Sequence, residues 1–323
     1  MSDQFLLAVD LGGTKIATCI GTLEGQIIKK SVEKTKSNGT SYEIVAQVIS
    51  AISNLVNELG IRSKLRGLGI GCPGIVDSNR GVVVSTPNLP WRDLPLKALI
   101  EAEFKDVEIF LDNDANCATL AEFHHGAGVG NDNMLYLTVS TGIGAGLILN
   151  GSLYRGKDSC AGEIGHMIME RRSNIQCGCG QYGCLETLAS GTAIARIAQE
   201  RLKEGAGSEI LKLVKSIEEV DAQIVGIAAK EDGLAKAILN EAFEYLGLAI
   251  VNLINTLNVD VIVIGGGVAK LGPLLFDQVR KVVAERLAKS PTCDTPIVPS
   301  RLGDEAGLKG ALRLVLDSIT CHY

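Results

Sequence analysis

The sequence predicts an α/β fold built from two related halves, and three observations carry that expectation. At 323 residues the chain exceeds the usual single-core domain of roughly 100 to 200 residues, which points to two domains. The hydrophobic fraction is 46% with only 4% aromatic, so the interior is filled mainly by Ala, Val, Ile and Leu, as in sheets flanked by helices. A strand, a glycine turn and a return strand occupy residues 5 to 20 and recur at 134 to 149, with Gly12 falling opposite Gly142, the signature of a duplicated unit.

Along the first half, Phe5 to Val9, Lys15 to Ile20 and Gln26 to Val32 read as a meander of strands separated by glycine turns. From Ser41 to Leu59, the residues Ile44, Val45, Val48, Ile52, Leu55, Val56 and Leu59 share one helical face, and Gly60 stops the helix. Leu68 to Cys72 is a strand leading into Pro73-Gly74, and Val107 to Leu111 is another. Asp112-Asn113-Asp114 then opens a helix to about Gly126. The second half begins with strands Met134 to Val139 and Ala145 to Leu149 around Ser140-Thr141-Gly142-Ile143-Gly144. Helices are expected around 192 to 205, 207 to 230 and 233 to 257. A strand from Val261 to Ile264 ends at Gly265-Gly266-Gly267, and a final helix spans about Asp304 to Leu316.

Composition excludes several classes of function. A net charge of −6 with interspersed signs offers no basic stripe, so nucleic acid is not expected as a partner. The start Met1-Ser2-Asp3-Gln4 lacks a basic region, Phe5 to Val9 is too short for a signal peptide, and no segment approaches the ~20 apolar residues of a membrane span. Nine cysteines, an odd number without an export signal, favour reduced thiols or metal ligands over a disulfide framework, and the cytoplasm as the compartment.

The two glycine turns can each converge backbone N–H groups on a phosphate, because no Cβ blocks the approach. In the first, Asp10 at the entrance can hold Mg²⁺ through water, with Gly12, Gly13, Thr14 and Lys15 following. The second carries Ser140, Thr141, Gly142 and Gly144 and no carboxylate. Either alone also reads as a tight hairpin; their matched recurrence favours phosphate binding. Neither fits the Walker A pattern or a dinucleotide fingerprint.

Four segments together carry a family resemblance: Asp10 to Lys15; Leu111-Asp112-Asn113-Asp114-Ala115-Asn116; Gly162-Glu163-Ile164-Gly165-His166; and Cys177-Gly178-Cys179-Gly180-Gln181-Tyr182-Gly183-Cys184-Leu185-Glu186. The chain resembles the ROK family (repressor, open reading frame, kinase) over nearly its whole length, and is most similar to that family's bacterial glucokinases. The resemblance implies duplicated ribonuclease-H-like domains of the actin/hexokinase type around a central cleft. It places ATP at the glycine turns, with Gly265, Gly266 and Gly267 beside the adenosine, and a homodimer or homotetramer as the assembly. The smaller domain is drawn as residues 1–114 plus the C-terminal helix at about 304–323. The larger is drawn as 115–303 and contains the loop 166–184.

Phosphoryl transfer asks for position, charge neutralisation and a proton acceptor. On the residues alone, Asp114 reads either as that base or, with Asp112 and Asn113, as a helix N-cap. The resemblance assigns sugar binding to Asn113 and both sugar binding and the base to Asp114, which leaves the cap to a neighbour. It also assigns Glu163, His166 and Glu186 to sugar hydroxyls, with Gly74 and Asn88 on the same wall. His166, Cys177, Cys179 and Cys184 are one imidazole and three thiols within nineteen residues. By spacing they are either reduced thiols in a glycine-rich loop or a tetrahedral zinc set, and the resemblance implies structural zinc. Cys19, Cys72, Cys117, Cys160, Cys293 and Cys321 read as small buried apolar residues.

The expected activity is therefore ATP- and Mg²⁺-dependent phosphorylation of a hexose, glucose first. Mannose, fructose, allose, N-acetylmannosamine and N-acetylglucosamine are the alternative acceptors. Sugar-responsive repressors of the same family carry a DNA-binding segment before the first turn. Here that turn begins at residue 10, which argues for the kinase. A filament or chaperone ATPase would need the phosphate turns but none of the sugar set.

Overall fold

The computed structural model describes residues 4–320; the readings made on Met1 to Asp3 and on Cys321 lie outside the described residues. In chain order the first stretch contains β1 (Phe5–Leu11), β2 (Lys15–Gly21), β3 (Ile27–Lys34), α1 (Ser41–Leu59), β4 (Leu65–Cys72), β5 (Ile75–Asp77), β6 (Val82–Ser85), β7 (Arg92–Leu94), α2 (Leu96–Glu101), β8 (Glu108–Asn113) and α3 (Asp114–His125). There follow β9 (Met134–Val139), β10 (Ile143–Leu149), β11 (Ser152–Leu153), α4 (Glu186–Ala189), α5 (Gly191–Lys203), α6 (Ala222–Ala228), α7 (Gly233–Leu257), β12 (Val261–Gly265), α8 (Pro273–Arg286), β13 (Ile297–Pro299) and α9 (Ala306–Thr320).

The duplication read in the sequence is present in the sheets. One five-stranded sheet has the order β3-β2-β1-β4-β8 and the other β11-β10-β9-β12-β13. In each, an antiparallel hairpin edge passes into parallel strands, with β1, β4 and β8 parallel in the first and β9, β12 and β13 in the second. Strands β5, β6 and β7 form a small separate sheet. The chain divides into two compact units: residues 1–130, 146–161 and 301–323, and residues 131–145 and 162–300. This division assigns residues 115–130 and 146–161 to the first unit, whereas the expectation placed both in the larger domain; α3 packs on α9 within the first unit.

In the first unit α1 follows the expected logic. Thr40 caps it in a reciprocal capping box with Glu43, and Gly60 ends it in the left-handed conformation at φ 63°. Its predicted apolar face is buried through Val56, whereas Leu59 at the last turn is exposed. α9 closes the other face of the sheet at unusually short range. A Cβ on Gly310 would lie 1.7 Å from Cys117 O in α3, and one on Gly69 of β4 would lie 1.9 Å from Ala311 O. Only hydrogen atoms fit there, so backbones pack directly.

Second-unit helices depart from the sequence reading at one place. The helix expected over 207 to 230 is broken into short 3₁₀ turns at Glu209–Lys212 and Ile217–Glu219, with α6 only at Ala222–Ala228. The Asp232 carboxylate explains the first break, since it accepts from Ser208 Oγ at 2.7 Å and from the Glu209 N–H, while its other oxygen caps α7 through Ala235 N. Asp221 caps α6 in the same manner through Ile224 N. α7 corrects a second expectation: its 25 residues, with a hydropathy of 1.4 over the most apolar window, are long and apolar enough to cross a membrane. Here 61% of that window is buried, with Ile238, Phe243, Leu246, Ile250 and Ile254 in the interior. Cys19, Cys72 and Cys117 are buried as expected, but Cys160 is exposed and Cys293 half-buried.

Gly310→Ala is expected to cost at least the ~1–3 kcal/mol of an overpacked core, because both neighbours at the contact are backbone. Urea unfolding checks this; a stability change within error of zero would show that α9 can shift without loss.

Candidate active site

Parallel strands bring the first set of predicted residues to one edge of the first sheet. The register aligns Asp10 of β1 with Gly71 of β4 and Gly71 with Asp112 of β8, and the next pair is Cys72 with Asn113. Asp10, the Pro73-Gly74 turn and the Asn113-Asp114 step therefore all lie at carboxyl ends of neighbouring strands, where α/β sheets place ligands. The first glycine turn is closed by Gly12 N donating to Lys15 O at 2.8 Å. Thr35 supports it from β3's far end, donating its hydroxyl to Gly12 O at 2.7 Å and its N–H to Thr14 O at 3.0 Å. Asn88 packs against the turn, since a Cβ on Gly13 would lie 2.9 Å from the Asn88 Cβ. Burial raises the Asp10 carboxyl above its usual range, with nearby Lys15 partly offsetting the shift.

At the head of α3 the structure corrects one expectation. The N-cap is Asn113 itself: its Oδ1 accepts from Ala115 N at 2.8 Å and from Asn116 N at 3.3 Å. Its Nδ2 donates to Gly74 O at 2.8 Å, leaving the second amide N–H for a ligand. Asn113 thus caps the helix with its oxygen and retains a donor on its nitrogen. Gly74 adopts φ +87°, and a Cβ there would meet Ser85 O at 2.1 Å, so this glycine is required by the turn that presents its carbonyl. The half-buried Asp114 accepts from Ala115 N at 2.8 Å through Oδ1.

In the second unit, β9 and β12 place their predicted glycines together in the same way. Gly265 is in register with Thr138, and Gly266, at φ +88°, lies so close to Val139 that a Cβ would meet Val139 O at 2.3 Å. The second turn is closed by Ser140 N donating to Gly142 O at 2.9 Å. It is held from outside by Gly191 N on Ser140 O at 2.7 Å and by the Thr192 hydroxyl on Thr141 O at 2.8 Å. A cavity of about 810 Å³ opens beside these glycines, lined among others by Thr141, Gly267, Gly226, Ile227, Leu271 and Lys270. Its size and apolar wall suit a ligand as large as a nucleoside.

The Cys and His residues converge. Ligand atoms of His166, Cys177, Cys179 and Cys184 all lie within 4.8 Å of one another. Cys177 Sγ is 3.5 Å from His166 Nδ1, and Cys179 Sγ is 3.7 Å from Cys184 Sγ. A tetrahedron with metal–sulfur bonds of ~2.3 Å and metal–nitrogen bonds of ~2.0–2.1 Å has edges of ~3.8 Å between sulfurs and ~3.5 Å between sulfur and nitrogen. The donor set therefore fits a tetrahedral ion of the zinc type. Local folding explains the convergence: Cys177 N donates to Gln181 O and Gly180 N to Cys177 O, both at 2.8 Å, and isolated bridges pair Ile168 with Cys184 and Gln176 with Tyr182. The far ring nitrogen, His166 Nε2, lies 3.6 Å from Glu163 Oε2.

Glu186 links this cluster to the second glycine turn. Its Oε2 accepts from Ile143 N at 2.9 Å, and a Cβ on Gly142 would lie 2.3 Å from that same oxygen.

A ROK family model matches residues 6–318. The chain belongs to the ROK family. A glucokinase of Halalkalibacterium halodurans is 36% identical over 317 residues, 98% of this chain and 96% of the relative. A putative xylose repressor of Caldicellulosiruptor sp. is 30% identical over 316 residues, 97% of this chain and 78% of the relative. Among solved structures, a ROK family glucokinase from Streptomyces griseus in complex with glucose and AMPPNP aligns with a TM-score of 0.82 at 31% identity, covering 96% of this chain and 98% of that one. The fold of this ROK chain is accordingly the two-domain actin/hexokinase-type α/β architecture implied by the sequence resemblance.

Sequence reading missed three residues that support the first-unit site. Thr35, buried at the end of β3, gave no signal beyond a polar residue closing a strand. Glu122 is fully buried in α3, where its carboxylate accepts from Ala127 N, Arg301 N and Leu302 N and so fixes both loops beside the helix. Arg155 donates to the buried Asp112.

Because the folded state raises the Asp10 pKa, Asp10 contributes stability below its unfolded value near 3.8 and loses it as pH rises through the higher folded value. At neutral pH the partly buried charge is a net cost. Asp10→Asn is expected to raise the thermal midpoint at pH 7 and to flatten its decline above pH 4; an unchanged pH dependence would contradict the assignment.

Proposed function

We propose that this ROK family chain is an ATP-dependent hexose kinase, with glucose as the preferred acceptor and glucose 6-phosphate as product. The observation that carries the reading is the Asn113-Asp114 step at the head of α3, a carboxylate beside an amide with one N–H to spare, on the strand-end edge that also carries Asp10. Glucokinase relatives and the glucose-bound structural relative support the substrate class.

In this reading each glycine turn offers backbone N–H groups to phosphate oxygens, and Asp10 holds Mg²⁺ through water. The cavity beside Gly267 receives the adenosine, with Ile227 and Leu271 against the base. Asp114 takes the proton from the sugar 6-hydroxyl as its oxygen bonds to the γ-phosphorus and the bond to the bridging oxygen of ADP breaks. Asn113 donates to a neighbouring hydroxyl, and Glu163 and Glu186 accept from others.

Zinc held by His166, Cys177, Cys179 and Cys184 would supply no reacting group and would lock the loop. With His166 Nδ1 committed to the ion, the ring proton resides on Nε2 and donates to the sugar. A set of cysteines kept reduced for metal binding suits a reducing compartment such as the cytoplasm. A homodimer or homotetramer remains the proposed assembly.

The repressor reading shares the fold, and relatives of that kind match this chain. The kinase is favoured by the base and Mg²⁺ carboxylates standing together at the strand ends, which a sugar sensor does not need. ADP formation from ATP and Mg²⁺, measured with a panel of hexoses, decides between them. Glucose is expected to give the highest kcat/KM, and Asp114→Asn to lower kcat by about 10²- to 10⁴-fold. No sugar-stimulated turnover would overturn the kinase. Removal of the metal, verified by elemental analysis, is expected to abolish sugar binding in calorimetry; retained binding in metal-free protein would overturn the role given to His166.

A further inference from the structure

We infer that Arg155 is a positioning residue for phosphoryl transfer, acting through the Asp112 carboxylate on the Asn113-Asp114 step; this rests on the reading that those two residues meet the sugar. Asp112 is only 1% exposed, and its two oxygens have separate duties. Oδ1 accepts from Asn113 N and from Asn116 Nδ2, both at 2.8 Å. Oδ2 accepts from Arg155 Nε at 2.7 Å. Asn113 in turn caps α3 and donates to Gly74 O, so one chain of hydrogen bonds runs from Arg155 through Asp112 and Asn113 to the Gly74 turn.

The electrostatics make Arg155 the controlling member. A buried carboxylate without a counter-charge is strongly disfavoured, and it relaxes by binding a proton or by turning toward water. Either response weakens the acceptor that holds the Asn113 N–H and the Asn116 amide, the two groups that fix the first turn of α3. Asn113 and Asp114 then lose their registration with Gly74. Arg155 comes from a segment 43 residues further along the chain. It is held there by Ala161 N donating to Arg155 O at 3.0 Å.

The pair is unequal in exposure, 34% for the Arg155 side chain against 1% for that of Asp112. Solvent therefore reaches the guanidinium side, and a small guanidinium ion can enter the space that truncation leaves. Lysine cannot imitate the contact, because the donor is Nε, partway along the arginine side chain, and not its tip.

Arg155→Ala is expected to lower kcat/KM for the sugar by about 10²-fold, the scale of a misplaced reacting group, while the KM for ATP stays unchanged. Millimolar methylguanidinium is expected to restore part of the sugar kcat/KM in the variant, and ethylammonium to restore less. In an Asp112→Asn background, Arg155→Ala is expected to add little further loss, since both act through one contact. Arg155→Lys, which keeps the charge, serves if the alanine variant does not fold; it is expected to fall between the native chain and that loss. Unchanged sugar kinetics, a parallel rise in the KM for ATP, absence of rescue or fully additive losses would each overturn the inference. Undiminished turnover by Asp114→Asn would instead overturn the reading beneath it.

Discussion

The architecture of the first unit depends on α9 approaching α3 and β4 with no side chain between them. Gly310 faces Cys117 O, Gly69 faces Ala311 O, and Gly307 lies against the Asp10 carboxylate, where a Cβ would come within 2.5 Å. That proximity contributes to the burial that raises the Asp10 pKa. It also brings the middle of α3 against the helix that seals the sheet. The polar groups at the strand ends are therefore presented by a closely packed backbone, and their positions follow from sheet register more than from flexible loops.

The glycine-turn hairpins and the Cys and His cluster were legible because local chain chemistry specifies them. Hydrophobic alternation and repeated glycines marked both hairpins, and both formed where expected. Three thiols and an imidazole separated by glycines converge until their ligand atoms all lie within 4.8 Å of one another, a donor set that could hold a metal ion. Asn113 was legible as a polar helix start. Its double use, with oxygen as cap and nitrogen as donor, was not, because choosing between cap and ligand requires knowing where Gly74 O lies.

Other features were hidden for a common physical reason: they depend on partners remote in sequence. The expected long helix over 207 to 230 has adequate periodicity. Asp232 nevertheless captures Ser208 and Glu209 and diverts the backbone, a tertiary hydrogen bond that local propensity does not contain. Glu122 reads as an ordinary helix-surface glutamate until Arg301 N and Leu302 N arrive from nearly 180 residues downstream. Glu186 was read as a sugar ligand, and its carboxylate is also the support beneath Ile143. One side chain thereby joins the Cys and His cluster to the second glycine turn in the same unit.

The position of α9 in the chain has a consequence for biosynthesis. Strands β1, β2, β4 and β8 and helix α3 leave the ribosome long before Ala306–Thr320 does, yet their shared face is completed only by that last helix. A domain closed by a late segment cannot finish folding until that segment has emerged. Until then the face of β4 at Gly67 and Gly69, and the side of α3 at Cys117, lack the helix that covers them. The contiguous part of the second unit, residues 162–300, is fully synthesised first. Premature termination anywhere before α9 would thus leave the nascent first unit without its seal, a dependence that ties the integrity of the early strands to the translation of a helix about 200 residues further on.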